Sequence, residues 1–202
     1  MKGKIINGLT REEAMNKAFK IGFEGESNRS MCSQETFHAI SSVLGVKNPI
    51  IFKCLSALEG GCAVTTKGTC GSFSGALVAF SFFFGRNYKQ WEKAEVYQKS
   101  TILGQKLYKK FSNKYGTIIC REMHKKIFGR TFDLMDEKNL GIDMEELKVF
   151  EEMEGHTIKC PTVVGLTAAW ALDLLWDEIS EDKDISEIID LKNAEENLKF
   201  NK

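Results

Sequence analysis

The stretch from Gly71 to Phe84 constrains the fold of this chain more than any other feature. Its sequence, GSFSGALVAFSFFF, is apolar on nearly every face of a helix and is followed by Gly85. It is too short to cross a bilayer, which takes about 20 apolar residues. A helix that is apolar all round is normally buried by other elements. The chain is therefore predicted to pack its remaining helices around this segment.

The rest of the sequence also predicts helices rather than strands. The chain has 202 residues but only two prolines, and few runs in which apolar and polar residues alternate. Both features are typical of helical proteins. Residues 1–180 are predicted to form one all-α domain, a compact bundle of about six to eight helices around the central apolar helix. Residues 181–202 are predicted to form a charged tail or a last helix, which could also serve a homodimer contact.

Capping residues and glycines set the expected helix boundaries. Thr10–Glu13 is a capping box that begins a first helix, expected to end near residues 22–25. Asn48–Pro49 predicts an N-cap followed by a proline in the first turn of a short helix. The acidic stretch 133–155 is expected to be an appendage that contains one helix, capped by Asp143. The other helices are predicted over residues 30–44, 87–115 and 117–128, and after Cys160.

Four of the six cysteines lie at or near the predicted starts of four separate helices. A helix N-terminus carries unpaired N–H groups and about half a positive charge, which stabilises a thiolate. Thiolates attack disulfides and bind metals. If these cysteines meet at one end of the bundle, as we predict, they form either a redox centre or a metal site. They are Cys32, Cys70, Cys120 and Cys160.

Charge and cysteine content favour a cytoplasmic protein. Lys plus Arg and Asp plus Glu are equal at 28 each, so no basic field predicts binding to nucleic acid or to an anionic membrane. No apolar export signal is evident near Met1, and the chain is not expected to be an integral membrane protein. Six cysteines are too few for a disulfide scaffold at this length. In a reducing compartment, clustered cysteines more often bind metal or do chemistry.

The motif that begins the central helix is Cys70-Gly71-Ser72-Phe73-Ser74-Gly75. Cys32 lies upstream in Met31-Cys32-Ser33-Gln34, and Cys120-Arg121-Glu122-Met123 and Cys160 lie downstream. Together these segments resemble the redox-active C-GCAxxG-C-C family over roughly residues 28–178, with all four cysteines in order. The resemblance implies that these cysteines form the functional site. Three features depart from the family pattern: Ser72 replaces an alanine, Cys62 lies where glycine is usual, and the acidic stretch is longer.

Three functions remain open at this point. In the preferred one, the four cysteines bind an iron–sulfur cluster for electron transfer, with Gly61, Gly68, Gly71 and Gly75 placing backbone N–H groups around the cofactor. In the second, the same thiols pair reversibly as disulfides and exchange electrons with an unidentified redox partner protein. In the third, the chain is a non-catalytic helical adaptor or a structural-metal protein, although the local C-x-x-C pairs typical of zinc sites are missing.

The remaining cysteines and histidines carry weaker signals. Cys54 lies inside a predicted amphipathic helix and is expected only to pack. Cys62 could be a fifth metal ligand, a resolving thiol or incidental. His124 and His156 each lie about one turn from a motif cysteine and could approach the site, although a solvated or capping role is more common for such histidines. Covalent haem attachment is not expected, because the chain has no C-x-x-C-H sequence.

Overall fold

The computed structural model describes residues 6–96 and 98–179, and this part of the chain is all-α, as predicted. The predicted tail, 181–202, lies outside the described residues. Helices α5 and α6 replace the single helix predicted over 87–115. The nine helices of the described part are α1 Arg11–Arg29, α2 Cys32–Val43, α3 Pro49–Cys54, α4 Gly71–Phe84, α5 Tyr88–Glu92, α6 Lys99–Tyr115, α7 Cys120–Phe128, α8 Met144–Glu152 and α9 Cys160–Trp176.

The predicted apolar helix is α4, and it shares the centre of the protein with α9. Helix α4 packs against α2, α6 and α9, and it buries Ala76, Ala79 and Phe80 completely. Helix α9 contacts α1, α2, α4 and α6. Ser81 of α4 is exposed, so this helix is not enclosed on every side. The core therefore lies between two apolar helices, with α1, α2 and α6 packed around them.

The glycines of α1 allow close helix packing and do not end the helix, so the predicted boundary near residues 22–25 was wrong. Thr10 and Glu13 form the predicted capping box, but α1 continues to Arg29. A Cβ atom at Gly22 would lie 3.3 Å from the Cα of Gly165 in α9. The backbones of α1 and α9 therefore lie close together here, and a larger side chain at either glycine would press against the other helix.

The segment predicted as one helix over 87–115 is broken between α5 and α6. Asn87 and Gln90 form a capping box that begins α5. Ala94, just after α5, has φ +52°, in the left-handed region that ends a helix. Helix α6 then begins at Lys99 and ends, as predicted, at Gly116 with φ +78°.

The acidic stretch packs on the rest of the protein outside the main core, through a second hydrophobic cluster. Asp143 caps α8 as expected, accepting the N–H groups of Glu145 and Glu146 at 3.0 Å. Phe150 of α8 is 1% exposed. Together with three other buried side chains it forms this second hydrophobic cluster. The cluster consists of Phe128, Phe132, Leu134 and Phe150.

Helix α9 and the preceding π-helical turn, Gly155–Lys159, form a continuous and mainly apolar helical run of 22 residues. In the described part of the chain, this run alone is long and apolar enough to cross a membrane by length and composition. Within its most apolar 18-residue window, 56% is buried against the rest of the protein. Such burial is also usual for the core helix of a soluble protein.

Candidate redox site

The four motif cysteines line one cavity of about 150 Å³. Cys32 comes from α2, Cys70 from the start of α4, Cys120 from α7 and Cys160 from α9. Apolar side chains of the second hydrophobic cluster, including that of Phe150, form part of the wall. The fold thus brings together four thiols that are far apart in sequence.

A sharp turn between α1 and α2 places Cys32 in this cavity. Ser30 and Met31 have φ values of +58° and +73°, so the chain reverses within two residues and α2 begins at Cys32. The N–H group of Gly60 donates a hydrogen bond to the Cys32 sulfur. A Cβ atom at Gly71 would overlap this sulfur. Glycine at position 71 therefore makes room for the thiol of Cys32.

Backbone pairing places Cys70 beside Cys120. The N–H group of Cys70 donates to the carbonyl of Ile118 at 2.8 Å, and the N–H group of Cys120 donates to the carbonyl of Gly68 at 2.9 Å. The Cys70 sulfur lies 3.2 Å from the hydroxyl oxygen of Ser72. This sulfur also accepts the N–H group of Ser72 at the start of α4. Two of the four thiols are therefore positioned by a short stretch of paired backbone.

The loop before Cys70 is held in an unusual left-handed conformation. Cys62, Ala63, Val64 and Thr66 have φ values of +66°, +51°, +58° and +59°. Such values are rare for residues other than glycine, above all for β-branched ones, and they persist only where the surroundings enforce them. The Thr66 hydroxyl donates to the carbonyl of Phe132 at 3.0 Å, which ties the loop to the second hydrophobic cluster.

The predicted cofactor-contacting glycines serve close packing around the cysteines. A Cβ atom at Gly61 would lie 2.8 Å from the Cβ of Cys120, and one at Gly68 would lie 2.6 Å from the carbonyl oxygen of Gly61. A Cβ atom at Gly75 would collide with the carbonyl of Ser33, where α4 crosses α2. The cavity lining itself includes Gly60. Contact of the four predicted glycines with a cofactor stays a prediction.

Helix α9 begins at Cys160, but the π-helical turn Gly155–Lys159 directly precedes it, so Cys160 does not lie at the free helix start that the sequence predicted. Lys159 and Cys160 both have helical backbone angles, and the Cys160 N–H group bonds to the carbonyl of Gly155. Pro161 has no N–H group, so it cannot bond to the carbonyl of Thr157, four residues earlier. The hydroxyl of Ser27 donates to that carbonyl instead, at 3.3 Å.

Burial raises the pKa of all four motif thiols. Desolvation is the largest cause in every case, and it opposes the charged form. Carboxylates and the other thiols of the cavity raise these pKa values further. The expectation that helix starts would favour thiolates at this site was therefore wrong, because desolvation outweighs the hydrogen bonds to sulfur.

The cavity also contains polar atoms without a hydrogen-bond partner among the described residues: Glu26 Oε2, Glu59 Oε2 and His124 Nδ1. Glu26 is 1% exposed, and desolvation, with Glu35 and Glu151 nearby, raises its pKa to about 8. Sequence reasoning missed Glu26 and Glu59, since neither lies in a cysteine motif. A glutamate inside an ordinary polar helix such as α1 gives no local signal of burial.

The two histidines differ in their surroundings. His124 is 4% exposed, and its Nε2 atom lies 3.6 Å from the Cys120 sulfur. Desolvation, with a smaller effect of His156, lowers the pKa of His124 to about 4, so the ring is neutral near pH 7. His156 also lines the cavity, and its Nδ1 atom is hydrogen-bonded to Glu151.

The two remaining cysteines lie outside the cavity lining. Cys62 is half-buried in the left-handed loop, and its sulfur would lie 3.1 Å from a Cβ atom at Gly68. Cys54 is the last residue of α3 and is exposed rather than packed in the interior. Within residues 6–96 and 98–179, no three Cys, His, Asp or Glu side chains are close enough together to hold a single metal ion.

A family model described as "Putative redox-active protein (C_GCAxxG_C_C)" matches residues 30–174, more than two thirds of the chain. The chain belongs to the C-GCAxxG-C-C family. The resemblance predicted from the cysteine motifs is thereby confirmed, and the matched segment contains all four motif cysteines. No curated protein and no solved structure matches the chain.

Proposed function

We propose that the protein binds an iron–sulfur cluster through Cys32, Cys70, Cys120 and Cys160 and transfers electrons. The observation that carries this proposal is that four thiols from four helices line one cavity. Cysteine thiolates are the usual ligands of such clusters, which supply a reversible one-electron couple. Membership of a family described as redox-active supports the same class of function.

The acid–base properties of the site support a metal centre over thiol–disulfide exchange. A thiol that attacks a disulfide must be deprotonated and accessible. Here burial raises the pKa of all four motif thiols, which keeps them protonated and poorly nucleophilic. A bound metal ion reverses this preference, since its charge deprotonates the thiols that coordinate it. Thiols with raised pKa values around one cavity therefore fit metal ligands better than catalytic nucleophiles.

The spacing of the ligands supports a cluster over a single ion. No three candidate ligand side chains in the described part of the chain approach a common point closely enough for one ion. The four sulfurs surround a cavity of about 150 Å³, which suits a group of several atoms. The Gly60 N–H group points to Cys32, and the N–H groups of Ser72 and Phe73 point to Cys70. Hydrogen bonds of this kind to sulfur tune the potential of a cluster.

Thiol–disulfide chemistry is the second candidate, and the position of Cys62 favours it. Cys62 lies in the strained loop beside Cys70, it is half-buried, and it is close enough to Cys120 to raise the pKa of that thiol. It could therefore resolve a disulfide formed at the cavity edge. All six cysteines are free thiols in the structure.

The cellular setting forms part of the proposal. We expect a cytoplasmic protein that exchanges electrons with a partner protein and does not bind nucleic acid. The support is the zero net charge, with 28 basic and 28 acidic residues, and the number of unpaired thiols.

Anaerobic purification and reconstitution with iron and sulfide test the cluster. The wild-type protein should turn brown, show sulfur-to-iron charge-transfer bands and contain both iron and acid-labile sulfide. Cys70→Ala should lose most of the bound iron, because Cys70 lines the cavity. Cys54→Ala is the matched control and should retain the iron, since Cys54 is exposed on α3.

Two outcomes would contradict the cluster. A colourless wild-type protein whose thiols titrate reversibly with a disulfide reagent would support the second candidate. Equal loss of iron from Cys70→Ala and Cys54→Ala would show that the cavity is not the binding site.

A further inference from the structure

We propose that Glu26 is an oxygen ligand of the metal centre in this cavity, which gives the site a mixed sulfur and oxygen donor set. The inference rests on the proposed function, because it takes the cavity to hold a metal. It assigns a ligand that the four-cysteine motif does not contain. The family match begins at residue 30, after the end of α1, so Glu26 lies outside the matched segment.

The first observation is an unsatisfied carboxyl group. Glu26 is 1% exposed and lines the cavity, and its Oε2 atom has no hydrogen-bond partner among the described residues. A buried polar group without a partner is unfavourable, and a buried charge without one is more so. Buried carboxylates are normally paired with a cation or coordinate a metal.

The second observation is that the neighbouring acids have partners and Glu26 does not. Glu35 is paired with Arg29, whose Nη2 atom lies 2.7 Å from its carboxylate. Glu151 is hydrogen-bonded to His156. Within the described residues, no basic side chain forms an ion pair with Glu26, whose charged neighbours are these two acids. Among the described residues no cation stabilises the ionised form of this carboxyl group, and a bound metal centre would do so.

The third observation is the position of Glu26 relative to the thiols. Glu26 lines the same cavity as Cys32, Cys70, Cys120 and Cys160, and its charge helps to raise the pKa of each of these thiols. It is held there because α1 packs against α2 and α9, the helices that carry Cys32 and Cys160. A carboxylate oxygen at this position is available to an iron atom that the thiolates also bind.

Oxygen ligation would make one iron atom chemically distinct from irons held by sulfur alone. The test is Mössbauer spectroscopy of protein reconstituted with ⁵⁷Fe and sulfide, for wild type, Glu26→Gln and Glu24→Gln. Glu24 is the matched control, since it lies on the same helix but its side chain is 58% exposed. The wild-type and Glu24→Gln spectra should contain a separate iron component, and Glu26→Gln should lose it. Identical spectra for wild type and Glu26→Gln would overturn the inference.

A second measurement separates this inference from the proposed function. The iron and acid-labile sulfide contents of the same reconstituted samples are measured beside the spectra. Glu26→Gln keeps all four cysteines and should still take up iron and sulfide, so a loaded Glu26→Gln whose spectrum matches that of wild type would overturn this inference and leave the proposed function standing. Failure of wild type and both variants to take up iron and sulfide would overturn the proposed function and this inference together. Circular dichroism and thermal unfolding check that Glu26→Gln remains folded.

Discussion

We expect the free energy of unfolding of the metal-free protein to fall between pH 6.5 and pH 8. Replacing Glu26 with glutamine should abolish this fall. In the folded protein, burial raises the pKa of Glu26 from 4.5 to about 8. The unfolded chain exposes this carboxyl group and returns its pKa to the ordinary value. Between these two values the folded state binds a proton that the unfolded state has lost, so stability falls as the pH rises.

The size of the effect follows from the two buried groups of the cavity that titrate in this range. The Glu26 shift corresponds to about 5 kcal/mol in total, at about 1.4 kcal/mol per pKa unit. His124 acts in the opposite direction, because burial lowers its pKa from 6.5 to about 4 and its contribution increases as the pH rises through that range. The two effects largely cancel between pH 4.5 and 6.5. From pH 6.5 to 8 Glu26 is the largest contributor, so the free energy of unfolding should fall by about 2 kcal/mol.

Urea unfolding at pH 6.5 and pH 8 measures this difference, with metal removed by a chelator and the thiols kept reduced. The free energy of unfolding of Glu26→Gln should be nearly the same at both pH values. Glu24→Gln, with its exposed side chain, should decline like the wild type. The same decline in Glu26→Gln and in wild type would refute the reasoning, since the titrating group would then lie elsewhere.

Three further substitutions test the packing around the site, each by urea unfolding of the metal-free protein. Gly75→Ala should lower the free energy of unfolding by about 1–3 kcal/mol, because the added Cβ collides with the carbonyl of Ser33; an unchanged midpoint would show that α2 and α4 can separate freely. Phe150→Ala should cost about 3–5 kcal/mol, since this ring is 1% exposed; a loss below about 1 kcal/mol would mean that the second hydrophobic cluster contributes little. Asn48→Ala should cost about 1 kcal/mol, as it removes the N-cap bonds to the N–H groups of Ile50 and Ile51; no change would show that water replaces this cap.

Local sequence signals predicted helices and helix ends correctly where the capping interactions lie within a few residues of each other. The capping residues Thr10, Asn48 and Asp143 all cap helices, and Gly116 ends α6 as predicted. The motif cysteines were also identifiable, because their order and spacing match the family. Local signals failed at Gly22, where α1 continues and packs closely against α9.

The properties of the site depend on tertiary contacts, which the sequence does not record. The motif predicted thiolates at helix starts, but burial raises the pKa of those thiols, and the degree of burial depends on helices that come from distant parts of the chain. The sequence likewise gave no sign that Glu26 faces four cysteines, since its environment is formed by α2, α9 and the acidic stretch that contains Glu151. The sequence by itself therefore determined which residues begin the helices and which thiols belong together. Only the tertiary structure decided their charge state and their neighbours, because desolvation and Coulomb interactions depend on distances between residues far apart in the chain.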